Sequence, residues 1–125
     1  MTKRKKSKSQ YQLSNNYFSI PHAVLDHPDF LAMNWSSQCL LIHTCRLYNG
    51  FNNGDISITE DSMSSKGWSR GTLDRCKKDL ISNKWLIKTR QGGKNQCSLY
   101  AISWIPLDKV KPKLDVIIYE VRSLK

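Results

Sequence analysis

Acidic residues are scarce in this chain: ten Asp and Glu stand against twenty Lys and Arg, a formal net charge of +10 at pH 7 over 125 residues. That imbalance selects against basic partners and favours a polyanion, through long-range attraction and release of the partner's condensed counterions. Long apolar runs are also missing. None approaches the roughly 18 residues needed to span a bilayer, and no apolar block follows the basic N-terminus as it would in a secretory signal. A cytoplasmic protein with no membrane partner is expected. Cysteine pairing is absent too: Cys39, Cys45, Cys76 and Cys97 are widely spaced, and His22, His27 and His43 complete no finger pattern. No metal or disulfide is expected, and the cysteines read as reduced core fillers. Nor is there a phosphate-cradling glycine loop with its lysine, or a Ser/His/Asp or Cys/His arrangement. The Glu60-Asp61 pair suits a helix start better than acid-base chemistry. The expectation is a protein that is not an enzyme and needs no cofactor.

What remains is enough for one modest core: the chain is 39% apolar, with four Trp, five Tyr and three Phe. Three segments are expected. Residues 1–16 form a basic arm, whose stretch Thr2 to Gln10 holds five cations and no apolar residue and is expected to be disordered in isolation. Residues 17–108 form the folded domain. Residues 109–125 form a tail that is either an edge strand or a dimerisation segment.

Within the domain, Ile20-Pro21 reads as an extended entry, because a residue before proline is pushed out of the helical region. Pro21 then opens a helical turn through Leu25, and Pro28 interrupts it. A helix follows from about Ser36 or Ser37 to Tyr48, capped by a serine or Asn34 and stopped by Asn49-Gly50. Its apolar residues wrap most of its circumference, which predicts a central, buried position. After the turn residues Phe51 to Gly54, Asp55 to Ile58 alternate as a short strand. Thr59 caps a helix to about Lys66 with Met63 inward, and Gly67-Trp68-Ser69 closes it and caps the next. Two helices joined by a tight glycine-containing turn are the signature of a helix-turn-helix.

In the helix that follows, Leu73, Cys76 and Leu80 recur at the spacing of an inward stripe. Arg70, Gly71, Asp74, Arg75, Lys77 and Lys78 are left outward. Trp85 to Arg90 and Gln96 to Trp104 then read as a hairpin whose loop is Gln91 to Asn95, and Pro106 stops the second strand. The four tryptophans and His43 are expected to be packed. From Lys66 to Lys94 there are nine cations and two acids, so charge is concentrated in this half.

The order helix, strand, helix, turn, helix, strand, loop, strand from about Phe18 to Trp104 resembles the winged helix-turn-helix superfamily: an α+β fold with a three-helix core and a C-terminal β-hairpin wing. Ile20-Pro21, Tyr48-Asn49-Gly50 with Asn52-Asn53-Gly54, Gly67-Trp68-Ser69, and Thr89-Arg90-Gln91-Gly92-Gly93 leading to Leu99-Tyr100-Ala101 are similar to small phage and mobile-element winged-helix proteins. They also resemble the origin-binding domains of phage and plasmid replication proteins. The second domain that such replication proteins often carry is not expected within these 125 residues.

The resemblance implies a sequence-specific double-stranded DNA-binding protein of a bacterial mobile element or phage, in the nucleoid or the host cytoplasm. It would act in transcription regulation or as an origin-binding replication accessory. Base readout would fall to Ser69, Arg70, Gly71, Thr72, Asp74 and Arg75, near the N-terminal end of the helix that enters the major groove. Phosphate and wing contacts would fall to Ser62, Ser64, Ser65, Lys66, Lys77, Lys78, Arg90, Gln91, Lys94 and Asn95. A homodimer is a further expectation. Two other readings stay open: a protein-interaction winged helix recruiting replication or transcription machinery, and RNA binding.

Overall fold

A computed structural model of the chain describes residues 17–108, 115 and 119–124; the expected basic arm lies outside them. The element order is α1 (His22–Leu25), α2 (Pro28–Leu31), α3 (Trp35–Leu47), α4 (Glu60–Met63) continued by a 3-10 turn (Ser64–Lys66), α5 (Arg70–Ser82), β1 (Leu86–Arg90) and β2 (Leu99–Ile102). The described residues form an α+β fold of five α-helices with a two-stranded antiparallel sheet after them, consistent with a winged helix.

Side-chain caps start α2, α3, α4 and α5, whereas α1 follows Pro21 with none. Pro28 begins α2 rather than breaking a helix: its missing N–H is an orphan at that position anyway, and His27 Nδ1 accepts from the Asp29 amide at 3.0 Å. Asn34 Oδ1 accepts from the Ser37 amide at 3.0 Å to open α3, and Thr59 Oγ1 accepts from the Ser62 amide at 3.2 Å to open α4. Helix α3 ends by a different route from the expected left-handed stop. Tyr48 is already extended, and Asn52 Nδ2 donates to the freed Leu47 carbonyl at 3.2 Å. Helix α5 ends in a Schellman arrangement with Lys84 at φ +64°. The Lys84 amide donates to Ile81 O and the Trp85 amide to Leu80 O, at 3.0 and 2.9 Å.

Helix α3 is less central than its composition suggests. Ser37, Leu40, Leu41, Thr44 and Cys45 form its buried face, and the opposite side is open. Trp35, expected to pack, is 85% exposed, and Cys39 and Ile42 are exposed beside it at the i+4 and i+7 positions. Its buried face joins Leu73, Cys76 and Leu80 of α5 in one core with Ile56, Ile58, Met63, Trp85, Leu86, Tyr100 and Ile102. Of the four cysteines, Cys45 and Cys76 are the core fillers, and burial pushes the Cys45 thiol up to about 12. His43 is half-buried, edge-on to Trp68.

The expected first strand reduces to one bridge, with Ile56 exchanging both backbone bonds with Tyr100. β1 and β2 pair from Leu86↔Ile102 to Arg90↔Leu99, with an irregularity between Lys88 and Arg90. Ile102, well short of Pro106, ends β2; the chain then turns, with Ile105 N bonding Ile102 O.

The fully buried Asn53 joins this sheet to the segments beyond it. Its Oδ1 accepts from Ile102 N at 2.7 Å. Its Nδ2 lies 2.9–3.1 Å from the carbonyls of Ile102, Ile105 and Pro106 and from the Tyr119 hydroxyl. Asp108 completes the knot, its carboxylate accepting from Asn53 N and its amide donating to Asn53 O. Burial pushes the Tyr119 hydroxyl up to about 12, so it remains a donor, to Ile105 O at 2.6 Å.

Replacing Asn53 by Ala would leave several buried backbone groups unpaired, each costing about 1–3 kcal/mol. Urea unfolding is expected to show a loss of about 3 kcal/mol. The thiols give a second check: in the native protein a thiol-specific reagent is expected to label Cys39 and Cys97 rapidly, and Cys45 and Cys76 only on unfolding.

Candidate nucleic-acid interface

The surface of interest is the face of α5 opposite its buried stripe, together with the hairpin that follows it. Ser69, extended at φ −84°, caps α5; its Oγ accepts from Thr72 N at 3.4 Å and donates to Thr72 Oγ1 at 3.0 Å. Both hydroxyls therefore serve the cap, and Thr72 is half-buried. Beyond them Arg70, Gly71, Asp74, Arg75 and Lys78 are exposed on the first turns, around the amides that a helix N-terminus leaves free. Nothing lies within 4 Å of where a Cβ on Gly71 would sit, so that position is open to a close approach. Arg70 also borders a shallow cleft with Thr59, Glu60, Asp61 and Asp74, which puts acids near it.

Two expected contacts depart from the outward pattern. Lys77 folds back: its Nζ donates to Ile58 O at 3.1 Å, lies 3.7 Å from Asp74 Oδ1, and sits 5.8 Å from the Tyr100 ring centroid. The reason is its place at the flank of α5, where the strand-like segment at Ile58 offers an unpaired carbonyl. Arg90 likewise turns onto its own hairpin, with Nη2 and Nε donating to Cys97 O at 2.7 and 3.2 Å. Seven of the nine cations from Lys66 to Lys94 remain exposed. On the preceding turn Ser64, Ser65 and Lys66 are exposed, whereas the Ser62 hydroxyl donates to Thr59 O within the α4 cap.

The wing is a longer and more structured loop than the five residues expected. It runs from Gln91 to Ser98 and is closed near its tip by a bridge between Gly93 and Gln96. Lys94 and Asn95 form the tip, Asn95 at φ +63°, a conformation Asn tolerates better than most residues. Gly92 N donates to Ser98 Oγ at 2.8 Å, and a Cβ on Gly92 would stand 2.6 Å from Ser98 N and 2.9 Å from Cys97 C. Gln91 is exposed and its Oε1 accepts from Lys88 Nζ at 3.1 Å. Lys88, exposed on β1, is a cation of this surface that the sequence reading passed over. Strand alternation gives no signal for it, because period two places Lys88 on the face of Leu86, and the observed burial does not alternate: Leu86 and Thr89 are buried and Lys88 is exposed.

All four residues of β2 are buried, Tyr100 among them, so this strand presents no open aromatic for stacking on single strands. Among the described residues no group of three His, Cys, Asp or Glu could hold a metal ion, and no helix is long and apolar enough to cross a membrane.

Comparison with known proteins gives one informative likeness. No protein-family model matches the chain, and no curated protein matches it. A solved structure described as "Structure of Rep-DNA complex" matches over 85% of this chain and 85% of its own, with a TM-score of 0.51 and 17% identity. At that identity the likeness speaks for the fold.

Gly92→Ala is expected to distort the wing alone: NMR shifts should change over residues 90–99, with the unfolding midpoint within a few degrees of wild type. The steric conflict is with backbone atoms that cannot swing aside.

Proposed function

We propose that the chain is a double-stranded DNA-binding protein acting in replication, with α5 seated in the major groove and the wing lying against the adjacent backbone or minor groove. The observation that carries this reading is the juxtaposition of the capped, cation-bearing start of α5 with a hairpin tipped by Lys94. The fold likeness to a protein solved as a Rep-DNA complex supports it. Arg75 and Arg70 read guanine edges through paired hydrogen bonds, and Gly71 permits close approach. Lys66, Lys78, Lys88 and Lys94 neutralise phosphates.

Binding is sequence-specific in this reading, and the protein is a binder rather than an enzyme. It serves a phage or mobile element as an origin-binding accessory, with promoter regulation as the variant that shares every feature of the site. Because one winged helix covers few base pairs, a homodimer on a palindromic site belongs to the same reading.

A second reading is favoured by a separate observation. The open side of α3 presents Trp35, Cys39 and Ile42, with Leu31 nearby at 61% exposure, and residues 30–45 carry no Asp, Glu, Lys or Arg. An apolar stretch of this length on so basic a chain, bounded by the exposed Arg46 at the end of α3, suits a protein partner from the replication or transcription machinery.

Titrating duplex, single-stranded DNA and structured RNA at two salt concentrations tests the first reading. Six phosphate contacts predict that duplex affinity falls by about three orders of magnitude between 50 and 200 mM salt. Arg75→Ala is expected to lose about 1–3 kcal/mol of discrimination at one base pair, whereas Lys78→Ala should weaken all duplexes alike. Equal effects of both changes on cognate and random duplex would reject base readout by α5.

A further inference from the structure

The C-terminal tail is anchored to the root of the wing as well as to the core. Asp115 makes two backbone-directed bonds there: its amide donates to Thr89 O at 2.7 Å, and its carboxylate Oδ2 accepts from Gln91 N at 3.0 Å. One residue thus brackets residues 89–91, its side chain taking the place of the next carbonyl in a paired strand. Thr89 sits at the irregularity of β1 and is fully buried, with Oγ1 donating to Gly54 O at 2.6 Å. The strand is gripped at that bend by both the core and the tail, and the loop to Lys94 leaves directly beyond the Gln91 amide.

The described residues that follow Asp115 are held against the core as well. Tyr119 bonds Ile105 O and Asn53. Arg122 N donates to Ser103 O at 2.8 Å, and the Arg122 guanidinium stacks 3.9 Å from the Trp85 ring centroid. That guanidinium also reaches Asn83 O and Lys84 O at 3.0 and 3.2 Å and Asp29 Oδ2 at 2.7 Å. The tail therefore ties the C-terminal end of α5 to the base of the wing.

We propose that Asp115 is a positioning residue of the duplex-binding surface: by holding the Gln91 amide it sets the direction in which the wing presents Lys94. This inference rests on the proposed duplex reading. Asp115 also places a negative charge beside a surface meant for phosphates, so its two effects on affinity oppose one another. Asn keeps an acceptor for the Gln91 amide and loses the charge, while Ala loses both.

The test uses the full chain with Asp115→Asn and Asp115→Ala, each with and without Lys94→Ala. Amide exchange at Gln91 and tryptic cleavage after Lys94 are followed in the free protein, and affinity is measured on duplex. In Asp115→Ala, Gln91 exchange and cleavage after Lys94 are expected to quicken about tenfold, duplex affinity to fall about fivefold, and the effect of Lys94→Ala to shrink. Asp115→Asn should exchange within about threefold of wild type and bind duplex as tightly as wild type or more so. Unchanged exchange in Asp115→Ala, or identical behaviour of the Asn and Ala variants, overturns the proposal. If no variant or wild-type protein binds duplex, the duplex reading fails, and the exchange ratio still decides whether Asp115 holds the loop.

Discussion

Asn53 is a single buried amide on which three separated parts of the chain depend. The turn that leaves α3, the end of β2 and the tail at Tyr119 all satisfy backbone or hydroxyl groups through it. A small core cannot hold such segments by apolar contact alone, because the buried Ile102 amide needs an acceptor, and Asn53 Oδ1 supplies it at 2.7 Å. The amide supplies both a donor and an acceptor at one point, which fixes the register of β2 relative to the helices. Since β2 carries the wing on β1, the wing's placement traces back to this contact.

The charge distribution follows from the same economy of surface. The core draws on one face of α3 and one face of α5, so the other face of each is free to differ. On α5 it is cationic and adjoins the hairpin; on α3 it is apolar from Trp35 to Ile42 and carries one cation, Arg46, in the last turn. Lys77 and Arg90 show where the fold claims its own cations. Each lies beside a backbone carbonyl, and the charge-assisted bond gained there outweighs a place in the solvent-facing array.

Much of this was legible from residue order. The inward stripe Leu73, Cys76, Leu80, the caps Ser69 and Thr59, and the glycine at the turn before Trp68 place α4, α5 and the hairpin correctly because local spacing and capping chemistry decide them. Three features were not legible, each for a long-range reason. Trp35 reads as core by type, but the side it occupies on α3 is settled by which face α5 covers. The expected strand at Ile56 stops at one bridge, because the helix capped by Thr59 begins immediately after Ile58. Asn53 reads as turn chemistry, and nothing near it in sequence announces partners about 50 and 66 residues away. The site residues on α5 were placed by periodicity; the inward turn of Lys77 depended on a carbonyl 19 residues upstream.

The contrast between Trp35 and Trp85 equips this protein with its own optical reporters. Trp35 stands in water, while Trp85 is sealed between the His27 and Trp104 rings and beneath the Arg122 guanidinium. Their fluorescence environments are opposite, and with the partly buried Trp68 and Trp104 they set the two extremes of the native emission. Detachment of the tail would strip the cation from one and leave the other untouched, so excitation of tryptophan can follow the chain's last residues without any added label.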